Sequence, residues 1–228
     1  MSVTRRSWLG LLVLHVLAAT GLSACAPLPK GEYWKGSYLH LDPPRYTFEV
    51  PEGWREATPK DFPSLGFNRR MFARLDERGR QAFLERAELE LEAIDTGLIS
   101  PRGAWIQVGS EARTGGWYIS SAPLRFGLTE QEKQGIWQRF STARIDRAPP
   151  TDKPTLTLEL MDVVDYGLNR RVLRVRFRSD DARGSMYWTV LGLFSSSDTI
   201  SLAHVGTPEN RDEGLSALEE IATSIRFD

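Results

Sequence analysis

The chain has 228 residues, 41% hydrophobic and 26% charged, with seven Trp and a formal net charge of −1. That composition belongs to a globular protein long enough to bury a full core in one domain, and it excludes fibrous and low-complexity classes. A charge so near zero lacks the basic excess a general nucleic-acid binder needs, and the single Cys excludes an intramolecular disulfide or a thiolate metal cluster.

Residues 1–24 read as a cleaved export signal. Arg5 and Arg6 give it a positive start, and Trp8 to Leu22 is an uncharged run of fifteen residues. A membrane span needs roughly 20 apolar residues, so this run suits a signal better. It ends in Leu22-Ser23-Ala24-Cys25, which resembles the lipobox of bacterial lipoproteins. The resemblance implies that the Cys25 thiol takes a diacylglyceryl group, that the signal is cut before it, and that the new amine is acylated. Two or three acyl chains anchor stably where one binds reversibly. Ala26, rather than Asp, after the Cys implies an outer-membrane anchor in a Gram-negative cell, with the protein facing the periplasm. Thr4-Arg5-Arg6-Ser7-Trp8-Leu9 resembles a twin-arginine export motif with Trp8 where Phe is usual, while the Leu-rich run suits the general secretory route equally. Cleavage before Cys25 leaves 204 residues, 27 basic and 30 acidic, for a net charge of −3.

Residues 26–44 hold four Pro and two Gly without a clear period, which predicts a tether. Fully stretched it spans about 60 Å. Tyr33, Trp34 and Tyr38 are unusual in a spacer and are expected to pack back onto the domain, which covers residues 45–228. Tyr46–Val50 alternates as a half-buried strand, stops at Pro51, and is followed by a turn delivering Trp54. From Asp76 to Ile94, Leu84, Ala87, Leu91 and Ile94 fall at helical spacing, with Asp76 as the starting cap and Gly97 as the stop. The alternation Glu88-Leu89-Glu90-Leu91-Glu92 is too short to override that pattern.

Trp105–Val108 and Trp117–Ser120 are predicted to pair as strands. Thr129-Glu130-Gln131-Glu132 is a capping box opening a helix with Ile136, Trp137 and Phe140 on its buried face. After a Pro-rich break at 148–154 come four strand candidates, Leu156–Val164, Arg171–Arg178, Met186–Phe194 and Thr199–His204, spaced as an antiparallel meander. The chain closes with an amphipathic helix capped by Thr207, with Pro208 in its first position and Leu215, Leu218, Ala222 and Ile225 as its apolar stripe.

Tyr46–Trp54 (YTFEVPEGW) and the meander-plus-helix of residues 155–228, ending Ser224-Ile225-Arg226-Phe227, together resemble the PsbP-like fold of a photosystem II extrinsic subunit and many bacterial lipoproteins. The resemblance implies an α+β fold, an antiparallel sheet with helices on its faces, and a non-enzymatic accessory protein that binds another macromolecule. It carries no catalytic residues with it, and a fold alone does not license a function.

Residue chemistry offers little else. Without the signal two His remain, His40 in the tether and His204 at a strand end, too few for a metal site, and no cofactor motif is present. Ser195-Ser196-Ser197-Asp198 lies shortly before His204, so an envelope hydrolase using His204 with a serine is the alternative function. A Ser- and Asp-rich hairpin turn explains the run more simply. Arg174, Arg176 and Arg178 alternate with Leu173, Val175 and Phe177, so all three project from one strand face. They form either a solvent face paired with acids such as Glu159, or a docking strip for phosphate or carboxylate groups. Among the six remaining Trp, most are core anchors, and Trp105 with Trp117 is the candidate exposed stacking pair. The expected partners are the membrane, through the anchor at Cys25, and a protein or envelope polymer, with no nucleic acid.

Overall fold

A computed structural model describes residues 31–35, 37–42, 46–66, 68–110, 127–147, 153–166, 171–181, 184–194 and 199–227. Cys25 and the signal, the Trp117–Ser120 strand, and the Ser195–Asp198 run lie outside the described residues.

The architecture is α+β. Its centre is an antiparallel sheet of seven strands in the order β4-β5-β6-β10-β9-β8-β7. These are β4 (Arg55–Glu56), β5 (Thr96–Ile99), β6 (Trp105–Ser110), β7 (Thr155–Asp165), β8 (Arg171–Asp181), β9 (Gly184–Phe194) and β10 (Thr199–Gly206). Strands β7 to β10 are the predicted meander, each pairing with the next. Both faces of the sheet are covered, so its central strands bury almost every residue.

One face carries Trp105, Phe177, Trp188, Val190 and Val205 and packs against α2 (Glu77–Glu92), which follows the one-turn α1 (Arg69–Phe72), and against α3 (Glu130–Arg147). Asp76 caps α2 as predicted, its carboxylate accepting from Gly79 N–H at 2.8 Å. Thr129 opens α3 with the predicted box: its N–H and hydroxyl each donate to Glu132 at 2.8 Å. Trp137 and Phe140 of α3 then meet Phe177, which stacks on Trp188 with ring planes 9° apart, and Ile136 is buried in the same core.

The opposite face carries Ile106, Val108, Leu191, Leu202 and Val172 and packs against α4 (Arg211–Ser224). Pro208 opens the turn before α4, where Asn210 Oδ1 accepts from Thr207 N–H at 2.9 Å. Leu218, Ala222 and Ile225 are buried as the stripe predicts, joined by Gly214, Ala217 and Ile221, while Leu215 is only half-buried.

Beside α4 lies a second antiparallel sheet, ordered β1 (Gly31–Lys35), β2 (Tyr38–Asp42), β3 (Tyr46–Glu49) and β11 (Arg226–Phe227). The predicted tether is therefore corrected: within 26–44, residues 31–42 form a hairpin that pairs onto β3. The prolines flank this hairpin instead of interrupting it, and Leu39 is fully buried in the second core.

Two further expectations change. The α2 helix stops at Glu92, and Gly97 is not its cap but a residue of β5, where a Cβ would collide with the Trp105 indole. Strand β6 pairs with β5 on one side and β10 on the other, so both edges of Trp105–Val108 are taken, and Trp117–Ser120, the predicted partner, lies outside the described residues.

Candidate functional site

The three arginines of β8 stand on the α4 face of the sheet, opposite Leu173, Val175 and Phe177, as the alternation predicts. Their environments differ because their cross-strand neighbours differ. Arg174 lies opposite Asp162 of β7 and grips it with a two-pronged fork, Nε to Oδ1 at 2.9 Å and Nη2 to Oδ2 at 2.6 Å. That bond, chiefly, raises the pKa of Arg174 above its ordinary value. Arg178 lies opposite Thr157 and turns along its own strand to Asp180, at 2.8 Å.

Arg176 lies opposite Leu160, which offers no acceptor. Its nearest carboxylate is Glu219 on α4, whose Oε1 is 3.7 Å from Arg176 Nη2 and 3.8 Å from Arg174 Nη1. Those separations are ion pairs and not hydrogen bonds. Among the described residues Arg176 Nε, shut off from solvent, has no hydrogen-bond partner, and neither has the buried hydroxyl of Tyr166. Burial first, and then the charge of Glu219, pushes the Tyr166 phenol above its usual range. Glu159, expected as the strip's partner, instead meets Arg211 at the start of α4 at 3.1 Å. A register shift between Leu158 and Leu160 takes it out of the Arg row. Arg211 also lies over the Tyr187 ring, 4.6 Å from its centre.

His204 stands on the same sheet face, in the row Leu160, Arg176, Thr189, His204, Ile106. It is buried at 1% exposure under the first turn of α4, where a Cβ on Gly214 would overlap its ring. Burial, helped by the charge of Arg211, pulls its pKa down to about 4, so the ring is neutral near pH 7. Nε2 has no hydrogen-bond partner among the described residues. Ser201, on the same strand, donates its hydroxyl to Gly109 O at 3.1 Å. No described serine hydroxyl is bonded to His204.

Trp105 is corrected as a stacking candidate. It is fully buried, edge-on to Phe62 with ring centres 5.0 Å apart, and its indole covers Gly97. Such a ring cannot meet a partner. Cys25 and Trp117 lie outside the described residues, and of His40 the structure gives its place on β2, opposite Thr47.

Two buried groups escaped the sequence reading. Asp95 Oδ2 accepts from Tyr46 Oη at 2.9 Å and from Ser110 N–H at 2.6 Å, tying the small sheet to the large one. Glu90 sits on the buried side of α2, where burial pushes its pKa up to about 8 against the opposing charge of Arg86. Among the described residues no group of three His, Cys, Asp or Glu side chains is placed to hold a metal ion, and no helix is long and apolar enough to cross a membrane.

No family model matches the chain, and no curated protein is similar to it. Among solved structures it is similar to the solution structure of cyanobacterial PsbP (CyanoP) from Synechocystis sp. PCC 6803. The alignment covers 93% of this chain and 99% of that one, at 14% identity and a TM-score of 0.45. At that identity no residue role passes from one chain to the other.

Proposed function

We propose that this chain is a lipid-anchored envelope lipoprotein without chemistry of its own, an accessory module that docks a protein or envelope polymer through the arginine face of β8. The supporting observation is that Arg174, Arg176 and Arg178 stand in line on one face, with Arg178 the most exposed and Arg176 bonded to no acceptor among the described residues. A planar guanidinium fork is suited to carboxylate and phosphate groups on a partner. The environment of His204 favours a binding role over hydrolysis, because a general base needs a nucleophile within reach and a pKa tuned to the working pH. The anchor rests on the lipobox resemblance at Leu22–Cys25.

The docking test is a pull-down from envelope membranes with the lipidated protein and a variant combining Arg174→Gln, Arg176→Gln and Arg178→Gln. The variant is expected to lose its partner, and the unaltered protein to release it as salt is raised. Equal capture by both proteins overturns the docking face. For the anchor, Cys25→Ser is expected to move the protein from the membrane to the soluble fraction and to remove an acyl mass. A protein that carries no acyl mass with Cys25 intact overturns it.

A further inference from the structure

We propose that the Arg176 guanidinium is a binding site for a single carboxylate, and that Glu219 occupies it loosely until a ligand displaces it. This deepens the docking reading and rests on it only for the partner that presents the carboxylate.

The neighbouring arginine shows what such a fork holds when an acid is in place. Arg174 closes Nε and Nη2 on the two oxygens of Asp162. One row along, the same pair of nitrogens on Arg176 has no such partner: Nε is bonded to nothing among the described residues, and Nη2 faces Glu219 Oε1 at 3.7 Å. Leu160 is the neighbour on β7 that corresponds to Asp162, and its side chain brings no acceptor. Tyr166 brings a second buried hydroxyl without a hydrogen-bond partner among the described residues, in the field of Glu219, Arg174, Arg176 and Asp162. Buried donors are nearly always paired, so two within reach of the same charges mark a place for an acceptor.

Charge and shape select the class of ligand. Arg174 and Arg176 balance Asp162 and Glu219, so displacing Glu219 leaves one positive charge to be met. A monoanion satisfies it; a dianionic phosphate overfills it. A planar, two-oxygen group also fits the side-on fork, as Asp162 does on Arg174. Glu219 is able to leave: it is 46% exposed, on the flank of α4, and holds the arginines by no hydrogen bond.

The test is a titration of the full chain in detergent micelles, following arginine Nε–H and backbone amide signals by NMR, with acetate as probe and inorganic phosphate as the contrast. Acetate is expected to shift the Arg176 Nε–H signal saturably and to leave that of Arg174 unmoved. Glu219→Gln is expected to bind acetate about tenfold tighter, and Arg176→Lys, which keeps the charge but not the fork, about tenfold weaker by its β8 amides. Tyr166→Phe should weaken acetate binding by a few-fold. No saturable shift in Glu219→Gln, or an unchanged response in Arg176→Lys, overturns the site. Phosphate binding as tightly as acetate overturns the ligand class. The docking reading fails separately: acetate then binds at Arg176, yet membrane capture does not depend on the arginines.

Discussion

Arg176 and His204 occupy one row of one sheet face, with Thr189 between them, and both are polar groups next to the same helix. His204 lies beneath the first turn of α4, where Gly214 lets the helix approach until nothing but the imidazole fits. Arg176 lies two strands outward, at the helix flank, where the carboxylate it meets among the described residues is the half-exposed Glu219. The first group is neutral at pH 7 and 1% exposed; the second keeps 23% of its side chain exposed and has no hydrogen-bonded acceptor among the described residues. The contrast teaches that distance from the helix axis, more than residue type, decides which polar group on this face remains available to a partner.

The largest effect should come from breaking the sealed end. Gly214→Val drives a branched side chain into the His204 ring, and overpacking of a filled core costs about 3 kcal/mol. Urea unfolding should show that loss as a lower midpoint with an unchanged slope; an unchanged midpoint would mean that α4 does not press on His204. A comparable effect appears in acid. The folded pKa of His204 is about 4 against 6.5 unfolded, so the unfolded state binds more protons between those values and stability falls as pH falls. The shift corresponds to about 3 kcal/mol, fully present above pH 6.5 and lost by pH 4. Glu90 acts with the opposite sign, because its raised pKa makes its contribution greatest below 4.5 and lost as pH rises through 8. Comparing His204→Gln with the unaltered protein across pH 4 to 7 isolates the imidazole: the variant should lose the His204 part of the acid slope. Equal slopes would place the titration elsewhere.

Much of this fold was legible in the sequence because its signals were local. The cap at Asp76, the box at Thr129 and the turn-opening Pro208 each act within four residues, and the alternation of β8 fixes which side chains face α4. What escaped depends on partners far along the chain. Gly97 resembles a helix stop until Trp105 is known to lie across it. Residues 31–42 resemble a spacer because their flanking prolines mask a hairpin that gains order only by pairing with β3. Trp105 resembles an exposed ring in the sequence because nothing local shows that Phe62 packs against it. The pairing of Arg174 with Asp162 was within reach: the two lie equally far from Leu168, so a hairpin centred there sets them opposite. Glu159 leaves that row because the register shifts beside it, which no local pattern announces.

Within the strip, Arg174→Gln should have a modest cost. It breaks a two-pronged bond to Asp162, but both groups keep some contact with water, so the loss is about 1 kcal/mol. A thermal melt should show a shift of a few degrees. No shift at all would mean that the fork is not held in solution.

The smallest stability effect, and the most informative, belongs to Arg176→Gln. The substitution removes no hydrogen bond, since the nearest carboxylate stands at 3.7 Å and Nε has no acceptor among the described residues. It also removes a buried donor whose bonding capacity the fold leaves unmet, which offsets the packing lost from the shorter stem. The net change should lie within about 0.5 kcal/mol, against about 1 for the residue two positions earlier on the same strand face. Function should rank the pair the other way: Arg176→Gln loses acetate binding, while Arg174→Gln retains most of it. A thermal melt beside an acetate titration on each variant measures both orders. If Arg176→Gln proves the more destabilising of the two, Arg176 is a structural ion pair with Glu219. The difference between the two ends of the row would then concern burial alone.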